Sequence, residues 1–171
     1  FEQIQKCICF IFLKIRKDET KMKQKSANEY FATHHKAVPL TYGKLDPYEG
    51  KIRLVMKNGL QMVSNDIFDL QDFYEEYSNE EGEFRICEVC GKPYDEGYMT
   101  EGGTFYACSD ECFRNDADAR YGKGKWKRTE ELTEEEKKNV LWNEFGEDSY
   151  HAYLDEHGKW HPDNTFYTEW F

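Results

Sequence analysis

The sequence predicts an α+β protein, and three observations carry that prediction. Two close cysteine pairs, Cys87/Cys90 and Cys108/Cys112, bracket a stretch that reads as a turn, a hairpin and a helix start. Asn58-Gly59 separates two short apolar runs, which is a strong hairpin signal. Ser, Thr, Asp and Asn stand as caps before stretches whose apolar residues recur at helical spacing.

The chain has 171 residues, enough for one sizeable domain or two small ones. Apolar residues make up 39% and aromatics 16%, so the core is expected to rest on Phe, Tyr and Trp more than on aliphatics. The formal net charge is −11. That charge argues against bulk DNA binding, which needs positive surface, and permits a basic protein partner or mimicry of nucleic-acid charge. Its simplest consequence is solubility.

Residues 1–21 differ from the rest. Cys7 to Leu13 is apolar but far shorter than a membrane span, and a basic n-region and a cleavage site are lacking. The stretch holds five Lys/Arg against three acids, so residues 22–171 carry 18 cations and 31 acids, net −13. It reads as a translated leader or a disordered arm, with Met22 as the natural start, which leaves four meaningful cysteines.

Residues 22–82 are expected to form an N-terminal α+β segment. Ser26 with Glu29 makes a capping box for a helix over 26–36. His34 and His35 at its end point to different faces, which suits a solvated helix end and not a shared metal. Thr41 to Gly50 reads as a turn-rich connector, because it contains Asp46-Pro47. Lys51 to Met56 and Leu60 to Ser64 are the two strands of the hairpin. Asn65 and Asp66 cap a helix to Tyr77 with Ile67, Leu70, Phe73 or Tyr74, and Tyr77 on its apolar face. Residues 79–83 read as an exposed linker. The eight acids from Asp66 to Glu83 are a solvated face or, more sharply, a docking surface for a basic partner.

Residues 83–128 carry the chemistry. Two residues separate Cys87 from Cys90, so a tight turn brings both to one ion, and Gly91 supplies the positive φ such a turn needs. Tyr94 to Thr100 and Thr104 to Ala107 read as strands about a Glu101-Gly102-Gly103 turn. Ser109 and Asp110 cap a helix whose first turn holds Cys112, with Phe113, Ala117 and Tyr121 as its stripe. Four thiolates at this spacing make a tetrahedral Zn2+ site with no open position, hence structural and not catalytic. The competing assignment is two disulfides. Reduced cytosolic thiols favour the metal, and the expected location is cytoplasmic, with no membrane segment.

Turn, hairpin and helix with two ligands at each end describe a treble-clef zinc finger. The run Phe105-Tyr-Ala-Cys108-Ser-Asp-Glu-Cys112 resembles the ending of TRASH and FCS-type fingers and of small bacterial gyrase-inhibitor zinc proteins. A closer likeness is to uncharacterised phage and mobile-element proteins. Those carry a CxxC-Gly-Lys-Pro opening, a Cys-Ser-x-Glu-Cys helix start and an aromatic tail matched by Phe166-Tyr-Thr-Glu-Trp170. The resemblance covers residues 84–122 and the tail. It implies fold and metal, and carries no settled activity with it.

After the finger, Lys123, Lys125, Lys127 and Arg128 flank Trp126. As a functional unit this run would place cations on phosphates and a tryptophan on a base of single-stranded nucleic acid. As a structural unit it is a glycine-loosened loop whose Trp packs on the finger and whose cations balance the net negative charge of four thiolates around one Zn2+.

Residues 129–171 are expected to add a helix and an aromatic tail. Thr133 with Glu136 opens the helix as a capping box, and Gly146 ends it after Phe145. Residues 147–171 read as an irregular tail, laid over finger and helix by Tyr150, Tyr153, Trp160, Tyr167 and Trp170. His151, His157 and His161 could join Asp155 or Asp163 in a second metal site, but no spacing here is diagnostic, and loop histidines are usually bystanders.

No phosphate-binding glycine motif, nucleophile elbow or zincin helix is present. The favoured function is a non-enzymatic, zinc-stabilised module that binds a protein partner and is encoded by a phage or mobile element. A nucleic-acid-binding finger using residues 123–128 is the alternative. A treble-clef nuclease with His151 or His161 as general base is the weakest, because the finger itself contains no histidine.

Overall fold

A computed structural model describes residues 26–100, 103–142 and 149–170. The expected leader, the Glu101-Gly102 part of the turn and the Phe145-Gly146 helix end lie outside the described residues. Among the described residues the chain forms four α-helices and twelve short strands, an α+β fold. No helix among them is long and apolar enough to cross a membrane.

The N-terminal part is a helix α1 (26–34) followed by an antiparallel meander of β1 (Val38–Leu40), β2 (Gly43–Tyr48), β3 (Lys51–Met56) and β4 (Gln61–Ser64). Strand β3 alternates exposed or half-exposed and buried residues, Lys51 out and Ile52 in, as a one-sided sheet requires. The Asn-Gly hairpin forms as expected, with Val55 opposite Gln61 and the Leu60 amide donating to the Asn58 side chain at 3.0 Å. The connector expected over 41–50 is a strand instead. Pro47 is accommodated because β1 pairs only as far as Leu45, so Pro47 lies where β2 has a free edge.

Helix α2 (Ile67–Tyr77) closes this layer. Asp66 is its N-cap, accepting from the Phe68 amide at 2.9 Å. Ile67, Leu70 and Tyr74 are buried, whereas Tyr77 is exposed. They join Ala27, Phe31, Val38, Leu45, Leu54, Phe84 and Ile86 in the first core. The segment expected as an exposed linker is partly enclosed. Ser78 is buried, its hydroxyl accepts from Gly82 at 2.9 Å, and the Glu83 amide donates to the Trp170 carbonyl at 2.8 Å.

The cysteine-bearing unit follows as β5 (Arg85–Ile86), β6 (Pro93–Tyr94), β7 (Glu96–Thr100), β8 (Tyr106–Ala107) and α3 (Asp110–Tyr121). Its core holds Cys87, Tyr94, Tyr98, Ala107, Phe113, Ala117 and Trp126. Aromatic rings dominate it, as the composition implies. Tyr98 alone meets Phe113, Tyr150, His151 and Tyr167 at centroid distances of 5.3–6.2 Å.

The C-terminal part departs most from expectation. Strand β9 (Trp126–Arg128) and a 3-10 turn (Thr129–Glu131) lead to α4, which spans only Glu134–Lys138. The Thr133–Glu136 capping box forms, but Val140 leaves the helix to bridge Trp160, and the Leu141 amide donates to the Trp160 carbonyl at 2.9 Å. Val140, Leu141 and Trp142 are consecutive, so no single helix face could bury all three. The tail is not irregular. It supplies β10 (His151–Leu154), β11 (Trp160–Pro162) and β12 (Thr165–Glu169). Strand β10 pairs with β9 and β11, and β12 pairs with β7, so the tail completes the sheet of the cysteine unit. A third small core of Leu132, Val140, Ala152 and Trp160 sits under β10 and β11.

Candidate metal centre

Two local structures bring the cysteines together. In the first, Gly91 donates its amide to the Cys87 carbonyl at 2.9 Å, closing a turn that carries Cys87 and Cys90. Gly91 has φ +75°, and a Cβ there would lie 2.2 Å from the Ser26 carbonyl oxygen of α1. The Glu88 amide donates to the Tyr106 carbonyl at 2.9 Å, which pins the turn to β8. In the second, Cys108 directly follows β8, and Ser109 caps α3 by accepting from the Cys112 amide at 3.2 Å.

The four sulfurs lie within 4.8 Å of one another, the one group of at least three potential metal-ligating residues among those described. Cys90 and Cys108 sulfurs are 3.6 Å apart, and Cys108 and Cys112 are 3.8 Å apart. A disulfide would need about 2.05 Å. A tetrahedron of thiolates at about 2.3 Å from a central ion has edges of about 3.8 Å. The spacing therefore fits four ligands around one metal ion. Cys87 is buried, Cys90 is exposed, and the other two are intermediate, so the centre sits at the surface with one side inside the core.

The electrostatics call for a cation. Hydrogen bonds from Cys108 and then Cys90, with the amides of the same two residues pointing at its sulfur, hold the Cys87 thiol far below its usual pKa. The hydrogen bond to Cys87, followed by that to Cys90 and by burial, drives Cys108 far above its own. Thiols packed this closely cannot all ionise without a positive charge between them, which a metal ion held by the four would supply. Tyr30 of α1 is near enough to feel the site. Burial, and then charge on Cys90 and Cys108, raises its hydroxyl pKa.

The residues of the basic run do not stay together. Lys123 and Lys125 are exposed, but Trp126 is 8% exposed, packed edge-on against Phe113 at 6.0 Å. Its Nε1 donates to Asp118 at 3.0 Å. Lys127 lies 2.6 Å from Glu136, and Arg128 lies 3.0 Å from Asp110. Among the described residues, Lys127 and Arg128 of the run are held by acids, Lys123 and Lys125 are exposed, and Trp126 offers no stacking surface.

The histidines are also dispersed. His151 is fully enclosed, stacked on Phe113 at 4.1 Å, with Nε2 3.2 Å from Asp110. His161 lies 2.8 Å from Asp155, which anchors the β10–β11 turn through the His157 and Lys159 amides. His157 is exposed, and Asp163 accepts from the Tyr121 hydroxyl at 2.7 Å. These groups do not converge on one point.

Two participants were not legible as such. Helix α1 packs on the cysteine turn at Ser26, a docking that its capping box does not announce. Trp170 packs against Tyr94 and Tyr106, 5.6 and 6.1 Å away, and its amide donates to the Asp95 carbonyl. The aromatic tail motif marked Trp170 without revealing its partners. No family model matches the chain, and no curated protein or solved structure does so.

Proposed function

We propose that the four-thiol unit holds one structural zinc ion in a treble-clef-type finger, and that the protein is a non-enzymatic module acting through protein–protein contact. The single observation that carries the metal part is the four-sulfur cluster, with edges of 3.6 and 3.8 Å where measured. Zinc is the ion of choice because an all-thiolate tetrahedron suits it, and because four protein ligands leave no position for substrate. Such a site contributes folding energy directly, on the order of 10 kcal/mol or more in small zinc units. The cysteine strands are two to five residues long, too little to hold themselves without help.

Support for a binding role comes from the net charge of −11 and from tyrosines left at the surface, Tyr150 and Tyr167 at 43% exposure each. A phage or mobile-element origin rests on the sequence resemblance alone. Nucleic-acid binding through residues 123–128 has less support, because Trp126 is buried and Lys127 and Arg128 are engaged by acids. A catalytic His151 has less still, since its ring is sealed inside the core.

Elemental analysis of protein purified under reducing conditions tests the proposal. About one zinc per chain is expected, lost in Cys108→Ser. Protein that is folded with the thiols of Cys87, Cys90, Cys108 and Cys112 all free to react and no bound metal would overturn it.

A further inference from the structure

We infer that the outer edge of β12 receives an extended, basic peptide segment of a partner, which adds to the sheet as a further antiparallel strand. The inference rests on the reading of the chain as a protein-binding module, and names the partner's chemistry.

The three-stranded sheet has the order β12-β7-β8, so β12 is an edge. Its hydrogen-bonding direction follows from its neighbours. Tyr98 pairs with Ala107, and the Thr100 amide donates to the Phe105 carbonyl, so Tyr98 and Thr100 turn their backbone groups toward β8. Gly97 and Met99 therefore bond to β12, opposite Thr168 and Phe166. Thr165, Tyr167 and Glu169 point their amides and carbonyls the other way. The Thr165 carbonyl confirms this by accepting from the Tyr150 amide at 2.7 Å. The outward groups of Tyr167 and Glu169 meet no strand among the described residues. An edge of this kind is a template for strand addition, and this one carries neither proline nor lysine to block it.

The side chains select the occupant. Tyr167 and Glu169 stand opposite Tyr98 and Glu96, so both glutamates share the sheet face on which Tyr167 is exposed. Tyr150 joins them, its ring 5.5 Å from Tyr98. An added strand would set its alternate residues directly beside Tyr167 and Glu169, with Glu96 one strand further in on the same face. Lysine or arginine at those positions gains ion pairs and ring faces, whereas acidic residues would be repelled.

The probe is a labelled heptapeptide alternating lysine and threonine, titrated into full-length protein, with a glutamate–threonine peptide as its counterpart. The expected result is binding of the basic peptide at least about tenfold tighter than the acidic one, with amide NMR shifts centred on Tyr167 and Glu169. Tyr167→Pro removes an outward amide that β7 does not use, and is expected to weaken binding about tenfold or more. Glu96→Lys with Glu169→Lys is expected to reverse the peptide preference, which keeps the test sharp if the proline variant folds poorly. Equal binding of both peptides, no binding of either, unchanged binding by a folded Tyr167→Pro protein, or self-association through this edge would each overturn the inference. Zinc content measured on the same samples separates such a failure from failure of the metal site.

Discussion

Tyr74 of α2 donates its hydroxyl to Asp95 at 3.3 Å, across the boundary between the N-terminal sheet and the cysteine unit. The same hydroxyl accepts from the Tyr42 amide at 3.0 Å, and Asp95 also accepts from the Thr41 amide. Tyr74 and Asp95 are both buried, so this small network ties two cores together where water cannot substitute. Tyr74→Phe keeps the ring, strands the Tyr42 amide and takes one of two donors from the Asp95 carboxylate. It is expected to cost about 1–3 kcal/mol in urea denaturation. A loss below about 0.5 kcal/mol would show that the network contributes little.

Gly91 is the second junction. An added Cβ would strike the Ser26 carbonyl, a backbone group that cannot swing aside, and φ +75° is itself unfavourable to a side chain. Gly91→Ala is expected to destabilise the protein by about 2 kcal/mol or more and to weaken metal retention against a chelator. Wild-type retention would mean that α1 does not press on the cysteine turn.

How much of this was readable from the chain differs by region, for physical reasons. The cysteine spacing, the Ser109 cap and the Asn58-Gly59 turn are local, and all three form as expected. The Asp66 cap and most of the α2 face were legible for the same reason. Strand β2 was hidden because Asp46-Pro47 looks like a turn, and only the short reach of β1 makes Pro47 harmless there. The tail strands were hidden because their partners are far away in sequence: Tyr167 opposite Tyr98, Ala152 opposite Lys127. Trp126 shows the same limit. Its neighbours are lysines in sequence and Phe113 and His151 in space.

Trp126 separates two accounts of the basic run. A base-stacking residue on the surface could be truncated with little effect on folding. Trp126→Ala is expected to cost about 3–5 kcal/mol, the range for a large buried aromatic. Lys123→Gln with Lys125→Gln is expected to change stability by less than about 0.5 kcal/mol. Thermal and urea unfolding of both variants checks the pair.

His151 gives a pH dependence with a definite sign. Burial among Phe113, Trp126, Tyr98 and Tyr150 lowers its pKa below the usual histidine value, despite the opposing pull of Asp110 and Glu131; Arg128 reinforces the lowering. The unfolded chain therefore takes up a proton first. The stability held by neutral His151 is complete above about pH 6.5, falls as the pH drops below that, and stops falling once the folded form is protonated too. His151→Phe, measured with excess zinc between about pH 7.5 and 5, is expected to flatten that part of the curve. An unchanged slope would place the pH dependence elsewhere.

In the proposed reading one ion holds the turn at Cys87, the β7–β8 ribbon and α3 together, with the tail strands built onto that scaffold. Thermal unfolding under reducing conditions, with and without a strong chelator, tests it most directly. Chelation is expected to abolish the cooperative transition of the cysteine unit, and added zinc to restore it. A cooperative transition at the same temperature in metal-free protein would contradict it.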